Sequence, residues 1–291
     1  MHKVLVLGGD ARSHFLGLYL QEKMDMELVA YGNPFSKPQN LSQVKLFMEQ
    51  ADTIILPVPY TVDGIHLKWG DSLSRPMILN DVLDGLHENQ LILGSNFKND
   101  FAQNVNEKGA KIFDFMKAKE IAKRNSVATA EGTIAEAIML CDSNLEKSDC
   151  MVIGYGICGK EIARKLALIG AKVTVMARRE EIRRECADEG YETLPMFSGV
   201  DRIDKEFQLI INTVPSMVLD EKALKKMASK NFVIIDIASN PGGTDFAYCK
   251  VNGIKAKLCL GLPGKYSPRS SGNILGEYVW KIWQTEESER I

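Results

Sequence analysis

Short apolar runs alternate with amphipathic stretches along the whole chain. In the first half, "KVLVL" (3–7), "ELVAY" (27–31), "TIILP" (53–57), "LILG" (91–94) and "AKIFDF" (110–115) read as strands. Helices are predicted between them over 12–23, 42–50 and 99–108, and "GNPFSKPQN" (32–40) has the Pro, Gly and Asn content of an irregular connection. The pattern then restarts. "CMVIG" (150–154), "KVTVMA" (172–177), "QLIINT" (208–213), "FVIIDIA" (232–238) and "IKAKLCL" (254–260) are strands, and helical patterns begin at 157, 179, 220 and 243. Such alternation predicts parallel sheets with helices packed on them. The join falls in "KRNSVATAEGTIAEAIML" (123–140), where Thr133 followed by Glu136 fits a capping box at a helix start. Ile134, Ala137, Ile138 and Cys141 then recur at helical spacing. A final helix, about 271–284, is expected to cross back to the first domain, and "TEESERI" is expected to fray.

Composition narrows the function classes. The 291 residues suffice for two ordinary domains, and a net charge of −2 argues against a nucleic-acid-binding surface. No apolar run reaches the ~20 residues of a membrane span. The opening "KVLVLGGD" has no cleavage site and reads as a strand, not a signal peptide. The six cysteines form no CxxC pair and no histidine pair has metal spacing, so reduced thiols in a cytoplasmic protein and no metal site are expected.

"VIGYGICGKEIARKLALIG" places Gly154, Gly156 and Gly159 in GxGxxG spacing between a strand and a helix. The first glycine turns the chain, the second lets a pyrophosphate approach, and the third lets helix pack on strand. The helix start at Ile157 and Cys158 then offers free N–H groups to phosphates. The pattern as a whole predicts an α/β protein of two doubly wound parallel-sheet domains with a cleft between them. The first (1–125) is flavodoxin-like, the second (126–291) a Rossmann dinucleotide-binding domain.

A ribose-binding acid is usual about 20 residues after the first glycine. Arg178 and Arg179 stand there instead, and Glu180 and Glu181 begin the next helix. An arginine suits a 2′-phosphate through a charge-assisted bond, worth about 1.5–3 kcal/mol or about ten- to hundredfold in affinity. NADP is therefore expected over NAD.

Three further loops follow strands of the second half. "INTVPSMVL" (211–219) offers Asn212, Thr213 and Pro215, with Ser216 beside them; "DIASNPGGTDF" (236–246) offers Ala238 and Ser239. "LGLPGKYSPRSSGNIL" (260–275) reads as a helix start with Ser270 and Ser271 as caps, which with Arg269 or Lys265 could hold a carboxylate. In the first half, "LVLGGDARSH" (5–14) lacks the third glycine, so no second dinucleotide site is read. Its amides and Arg12 suit a small anion, and Lys98 is a further cation.

Together "GGDAR" (8–12), "ILPVP" (55–59), "AEGTI" (130–134), "GYGICG" (154–159), "INTVPSM" (211–217), "DIASNPGGTDF" (236–246), "GLPGKYSP" (261–268) and "SGNIL" (271–275) resemble the family of the dipicolinate synthase A-type subunit. The resemblance covers nearly the whole chain, though little of 60–92. It implies a cytoplasmic enzyme of the mother cell of a spore former. The activity implied is NADP-linked oxidation of dihydrodipicolinate, or its hydroxytetrahydro precursor, to dipicolinate, together with a flavoprotein-like B-type subunit. A small dicarboxylate substrate would need Arg12, Lys98, Ser216, Arg269, Ser270 and Ser271. A proton acceptor is also needed, and Asp236 and Asp10 sit near expected strand ends. The histidines (His2, His14, His66, His87) fall in no acid–base motif. Two alternatives stay open: an NADP-dependent dehydrogenase of another small acid, and a non-catalytic cofactor-binding partner subunit. Homo-oligomer formation is also open.

Overall fold

The computed structural model describes residues 1–34, 40–70, 75–199, 202–227 and 231–289. The chain divides into two compact units, residues 1–125 with 267–291, and residues 126–266.

The first unit holds strands β1 (His2–Leu7), β2 (Met26–Tyr31), β3 (Thr53–Ile55), β4 (Leu91–Gly94) and β5 (Lys111–Asp114), all parallel, in the order β2-β1-β3-β4-β5. Helices α1 (Ala11–Lys23), α2 (Leu41–Met48), α3 (Leu79–Asp84) and α4 (Asn99–Glu107) connect them. Successive residues of β1 serve opposite faces of the sheet. Leu5 and Leu7 pack with Val44, Ile54, Val82, Ile92 and Val105, whereas Val4 and Val6 pack with Leu16, Leu20, Leu93 and Val279. Burial on both faces explains why these strands read as unbroken apolar runs. Each large side chain so buried contributes about 1.5–3 kcal/mol.

The second unit holds β6 (Asp149–Ile153), α6 (Ile157–Leu168), β7 (Lys172–Met176), α7 (Glu180–Asp188), β8 (Glu192–Leu194), β9 (Leu209–Asn212), α8 (Glu221–Lys225), β10 (Val233–Asp236), α9 (Phe246–Val251), β11 (Lys255–Leu258) and α10 (Leu262–Tyr266). Its parallel order, β11-β10-β9-β6-β7-β8, is that of a Rossmann domain. Val152, Val175 and Ile211 face one core with Ile162 and Leu166, and Ile153, Met176 and Ile210 face another with Leu219 and Leu224.

Helix α5 (Lys119–Leu140) begins in the first unit and continues into the second. It corrects the helix start read at Thr133. That residue lies inside the helix, its hydroxyl donates to the Thr129 carbonyl (2.8 Å), and Glu136 pairs with Lys257 and Lys265. A capping box needs a free helix start, and here the chain is already wound. The last helix, α11 (Pro268–Glu289), packs on α1 within the first unit. Two glycines make this possible. A Cβ on Gly272 would come within 2.6 Å of the Arg12 carbonyl oxygen, and one on Gly276 within 2.7 Å of the Tyr19 ring. Because α11 starts at Pro268, Ser270 and Ser271 are inside its first turn and are not the caps expected of them. The helix also runs on through the segment expected to fray, Arg290 and Ile291 lying outside the described residues. The connection read at 32–40 falls partly outside them too. Helix α3 and strand β8 have no counterpart among the elements expected from the sequence.

Candidate functional site

In the second unit, the strand order reverses between β6 and β9, so the loops after these strands flank the crevice where such sheets bind ligands. The glycines after β6 have distinct surroundings. Gly154 has φ +92°, a conformation natural to glycine, and a Cβ there would meet the Thr213 hydroxyl at 2.5 Å. A Cβ on Gly159 would overlap the carbonyl oxygen of Gly154. Gly156 is different, since nothing lies within 4 Å of where its Cβ would be. It is the N-cap of α6 and brings no side-chain cap, leaving the first-turn N–H groups beyond it without one. Such a start favours an anion through its donors and its dipole. Ile157 is exposed, and Cys158 is part-buried with its thiol pushed up by burial.

A cavity of about 530 Å³ opens beside this turn. Gly154, Gly156, Arg178, Arg179 and Ser216 line it, with Tyr155, Ala177, Ile182, Met196, Val214 and Val218 as further walls. Both arginines are exposed, and neither guanidinium has a side-chain partner among the described residues. The turn that carries them is braced by Arg183, whose Nη1 donates to the carbonyls of Ala177 (2.9 Å) and Arg178 (3.0 Å). Open space at Gly156, an uncapped helix start and cations beside apolar walls suit the phosphates of a dinucleotide. Ser216, expected among substrate groups, lines this same cavity. The apolar walls were missed in the sequence because single residues such as Ile182 and Met196 carry no motif.

The other loop residues expected near a cofactor do not line the cavity. They hold its frame. Thr213 donates its hydroxyl to the Ile153 carbonyl (2.9 Å), tying the loop after β9 to the end of β6. Asn212 is buried and brackets Val214, accepting from its N–H (3.0 Å) and donating to its carbonyl (3.1 Å). Asp236, expected as a proton acceptor, is fully buried and saturated. Its Oδ2 accepts from Asn212 Nδ2 (3.0 Å), Gly243 N (2.8 Å) and Thr244 Oγ1 (2.7 Å), and its Oδ1 from Ala238 N (3.0 Å). Four donors converging on one carboxylate make it a clamp on two loops, which corrects the catalytic expectation. Ala238 is buried behind this clamp, Pro215 is exposed, and Ser239 is exposed in the turn closed by Gly242 N.

A smaller cavity of about 240 Å³, lined by Cys141, Glu206, Asn231 and Lys255 among others, lies at the opposite, amino ends of β9, β10 and β11. That edge is not where open α/β sheets bind their ligands.

In the first unit, the order reverses between β1 and β3. The turn after β1 is closed by the protein itself. Gly9 N donates to the Lys68 carbonyl (2.8 Å), and a Cβ on Gly8 would meet that oxygen at 2.5 Å. Asp10 caps α1 by accepting from Arg12 N (3.1 Å). It also accepts from Arg12 Nε (2.8 Å), Arg12 Nη2 (2.7 Å) and Lys68 Nζ (3.0 Å). Burial alone would raise this carboxyl, but the hydrogen bond and charge of Arg12, then those of Lys68, hold it well below the usual carboxylate range. Asp10, the other expected proton acceptor, is thus locked as an anion between two cations. Burial pushes the Lys68 ammonium down, and Asp10 only partly restores it. Lys68 was missed because nothing around it forms a motif.

The remaining expected cations lie elsewhere in this unit. Lys98 is the N-cap residue of α4, with its ammonium against Gly64. Arg269 lies over the Phe15 ring at 4.7 Å, near His14, which burial and then Arg269 push down. Ser270 is exposed, whereas the Ser271 hydroxyl is buried with no hydrogen-bond partner among the described residues. No group of three or more metal-ligating side chains occurs among the described residues. None of the described helices is long and apolar enough to cross a membrane.

Comparison with known proteins places these features. Residues 3–116 match the N-terminal domain of the dipicolinate synthase A-type subunit, and residues 123–271 match the alanine dehydrogenase/PNT C-terminal domain. The dipicolinate synthase A-type subunit of Bacillus subtilis is 32% identical over 99% of this chain and 97% of its own. The crystal structure of the corresponding dipicolinate synthase subunit from Bacillus halodurans superposes with a TM-score of 0.82 at 28% identity, covering 97% of each chain. The transhydrogenase of Sinorhizobium meliloti, at TM-score 0.63 and 12% identity over 94% of this chain and 92% of its own, shares the fold alone. With a dehydrogenase-type Rossmann unit and a relative of this identity along nearly its whole length, the chain belongs to the family of the dipicolinate synthase A-type subunit.

Proposed function

We propose that the chain is an NADP-linked dehydrogenase that oxidises dihydrodipicolinate, or its hydroxytetrahydro precursor, to dipicolinate. It would act with a flavoprotein-like B-type subunit in the mother cell of a spore former. The observation that carries the cofactor part is the meeting of Gly156, Arg178 and Arg179 on one cavity with no acid at the end of β7. The nicotinamide cofactor supplies the redox chemistry when bound. The protein's share is to hold the phosphates at the α6 start, the 2′-phosphate at the arginines and the adenine against Ile182, Met196, Val214 and Val218. Arg12, Lys98, Arg269, Ser270 and Ser271 supply the cations and donors for the substrate carboxylates. Oxidation of a dihydropyridine to a pyridine releases one hydride equivalent to the cofactor and one proton to solvent or a base; the hydroxytetrahydro precursor must in addition lose one water.

The test is formation of the pyridine product, followed in the near-ultraviolet, from enzymatically generated dihydrodipicolinate with NADP⁺ and the B-type subunit. Product is expected with NADP⁺ and less with NAD⁺; no product with either cofactor removes the proposal. A second reading, a cofactor-binding partner subunit with the redox step on the flavoprotein, is favoured by one fact. Both carboxylates expected as proton acceptors are occupied by internal donors. If a Gly156→Val chain loses cofactor binding while the complex turns over normally, this second reading holds. A substrate screen on NADPH absorbance separates both from a dehydrogenase of another small acid.

A further inference from the structure

We propose that Lys68 and Arg12 together form the binding corner for one carboxylate of a small dianionic ligand at the carboxyl ends of β1 and β3, with Asp10 holding the two cations in place. The inference rests on the reading of the substrate as a small dicarboxylate and adds to it a residue and a division of roles.

Position is the first support. In the order β2-β1-β3-β4-β5 the reversal falls between β1 and β3, and the cluster sits on the turn leaving β1. Charge is the second. Two cations share one carboxylate, and neither Arg12 nor Lys68 has another ion pair among the described residues. Their only other side-chain acceptor among those residues is a neutral carbonyl, that of Val58, at 2.7 Å from Arg12 Nη2 and 3.0 Å from Lys68 Nζ. Among the described residues one positive charge is therefore left over, on side chains only 8% exposed for Arg12 and 25% for Lys68. A part-buried charge without a counterion is costly, and an arriving carboxylate offsets that cost.

Donor geometry is the third support. An ammonium has three N–H donors, and Lys68 uses two of them; a guanidinium has five, and Arg12 Nη1 has no acceptor among the described residues. Both free directions belong to cations held in register by Asp10. Lys68 is also fixed through its backbone. Its N–H donates to the Tyr60 carbonyl (2.8 Å), and its own carbonyl accepts from Gly9 N. The ammonium is thereby carried to the glycine turn from a segment 58 residues further along the chain than Asp10.

The probe is pyridine-2,6-dicarboxylate, titrated calorimetrically into the full-length chain without cofactor. Lys68→Met is expected to weaken binding about ten- to hundredfold, as loss of a charge-assisted bond does. Lys68→Arg retains most of the affinity, and Lys117→Met, at an exposed lysine, leaves it unchanged. Wild-type affinity in Lys68→Met, or no binding by the wild-type chain, overturns the proposal. Should Lys68→Met fail to fold, acetylation of the wild-type chain read by mass spectrometry decides. Protection of Lys68 by the dicarboxylate supports the site, and equal labelling with and without it overturns the site. If the dicarboxylate binds as expected but no pyridine product forms with either cofactor, the corner stands and the proposed reaction falls. If the reaction proceeds and Lys68→Met leaves KM unchanged, the corner falls and the reaction stands.

Discussion

The first strand of each sheet leads in the same way through a glycine turn into a helix, yet the two turns end in opposite states. After β1, the protein fills its own turn. Asp10 caps α1, Lys68 closes over Gly8 and Gly9, and an ion-paired cluster occupies the strand ends. After β6, the helix starts on Gly156, with no capping side chain and open space where a Cβ would be. The difference is one of side chains at the cap. An aspartate satisfies the helix start from within, while a glycine leaves it to an external anion. The first turn is suited to hold charged side chains in place, the second to receive phosphates.

The largest expected effect would break the second turn outright. Gly159→Val puts side-chain atoms onto the Gly154 carbonyl, so dinucleotide binding measured by fluorescence titration should vanish and stability should fall by about 3 kcal/mol. Retained binding would show that helix and strand need not approach so closely. Next, Asp10→Asn attacks the first turn. It keeps a side chain able to cap the helix but removes the counterion of two cations, and denaturant unfolding should show a loss of about 2–4 kcal/mol. The folded Asp10 carboxyl lies below its ordinary value. Its contribution is therefore fully present above the unfolded value of about 3.9 and is lost as pH falls below it. The acid limb of the stability profile should flatten in the variant; an unchanged limb would mean the cluster adds nothing.

A smaller effect separates the two turns by ligand. Replacing Arg178 and Arg179 by glutamine should weaken NADP about ten- to hundredfold and leave NAD within about twofold, read by calorimetry. Equal losses for both cofactors would place the arginines elsewhere than at the 2′-phosphate. Smallest in stability is Gly156→Ala. With nothing within 4 Å of the new methyl, the unfolding free energy should stay within about 0.5 kcal/mol while dinucleotide affinity drops about tenfold. A stability loss would mean that the open space is needed by the fold itself.

Much of the fold was legible because its signals are local. A strand buried on both faces must be apolar at every position, so β1, β6 and β9 stood out as runs. Elements with weaker local signals were lost. Strand β8 spans only Glu192–Leu194, and α3 lies in a segment with no motif. Residue pairs misled where their type matched a rule but their partners lay far away. Thr133 and Glu136 resemble a capping box, yet Glu136 is occupied by Lys257 and Lys265. Asp236 stands at a strand end like a catalytic acid, yet Asn212, Ala238, Gly243 and Thr244 consume its lone pairs.

The sequence by itself determined the two parallel sheets, the glycine loop of the second unit, the arginines after β7 and the family, since each is written in neighbouring residues. Only the tertiary structure decided which glycine turn is open and which is filled, how closely α11 approaches α1 at Gly272 and Gly276, and that Lys68 stands beside Asp10. These depend on groups brought together from distant parts of the chain. A hydrogen bond or a close helix crossing is specified by where folding delivers its two halves, not by the spacing of either half along the sequence.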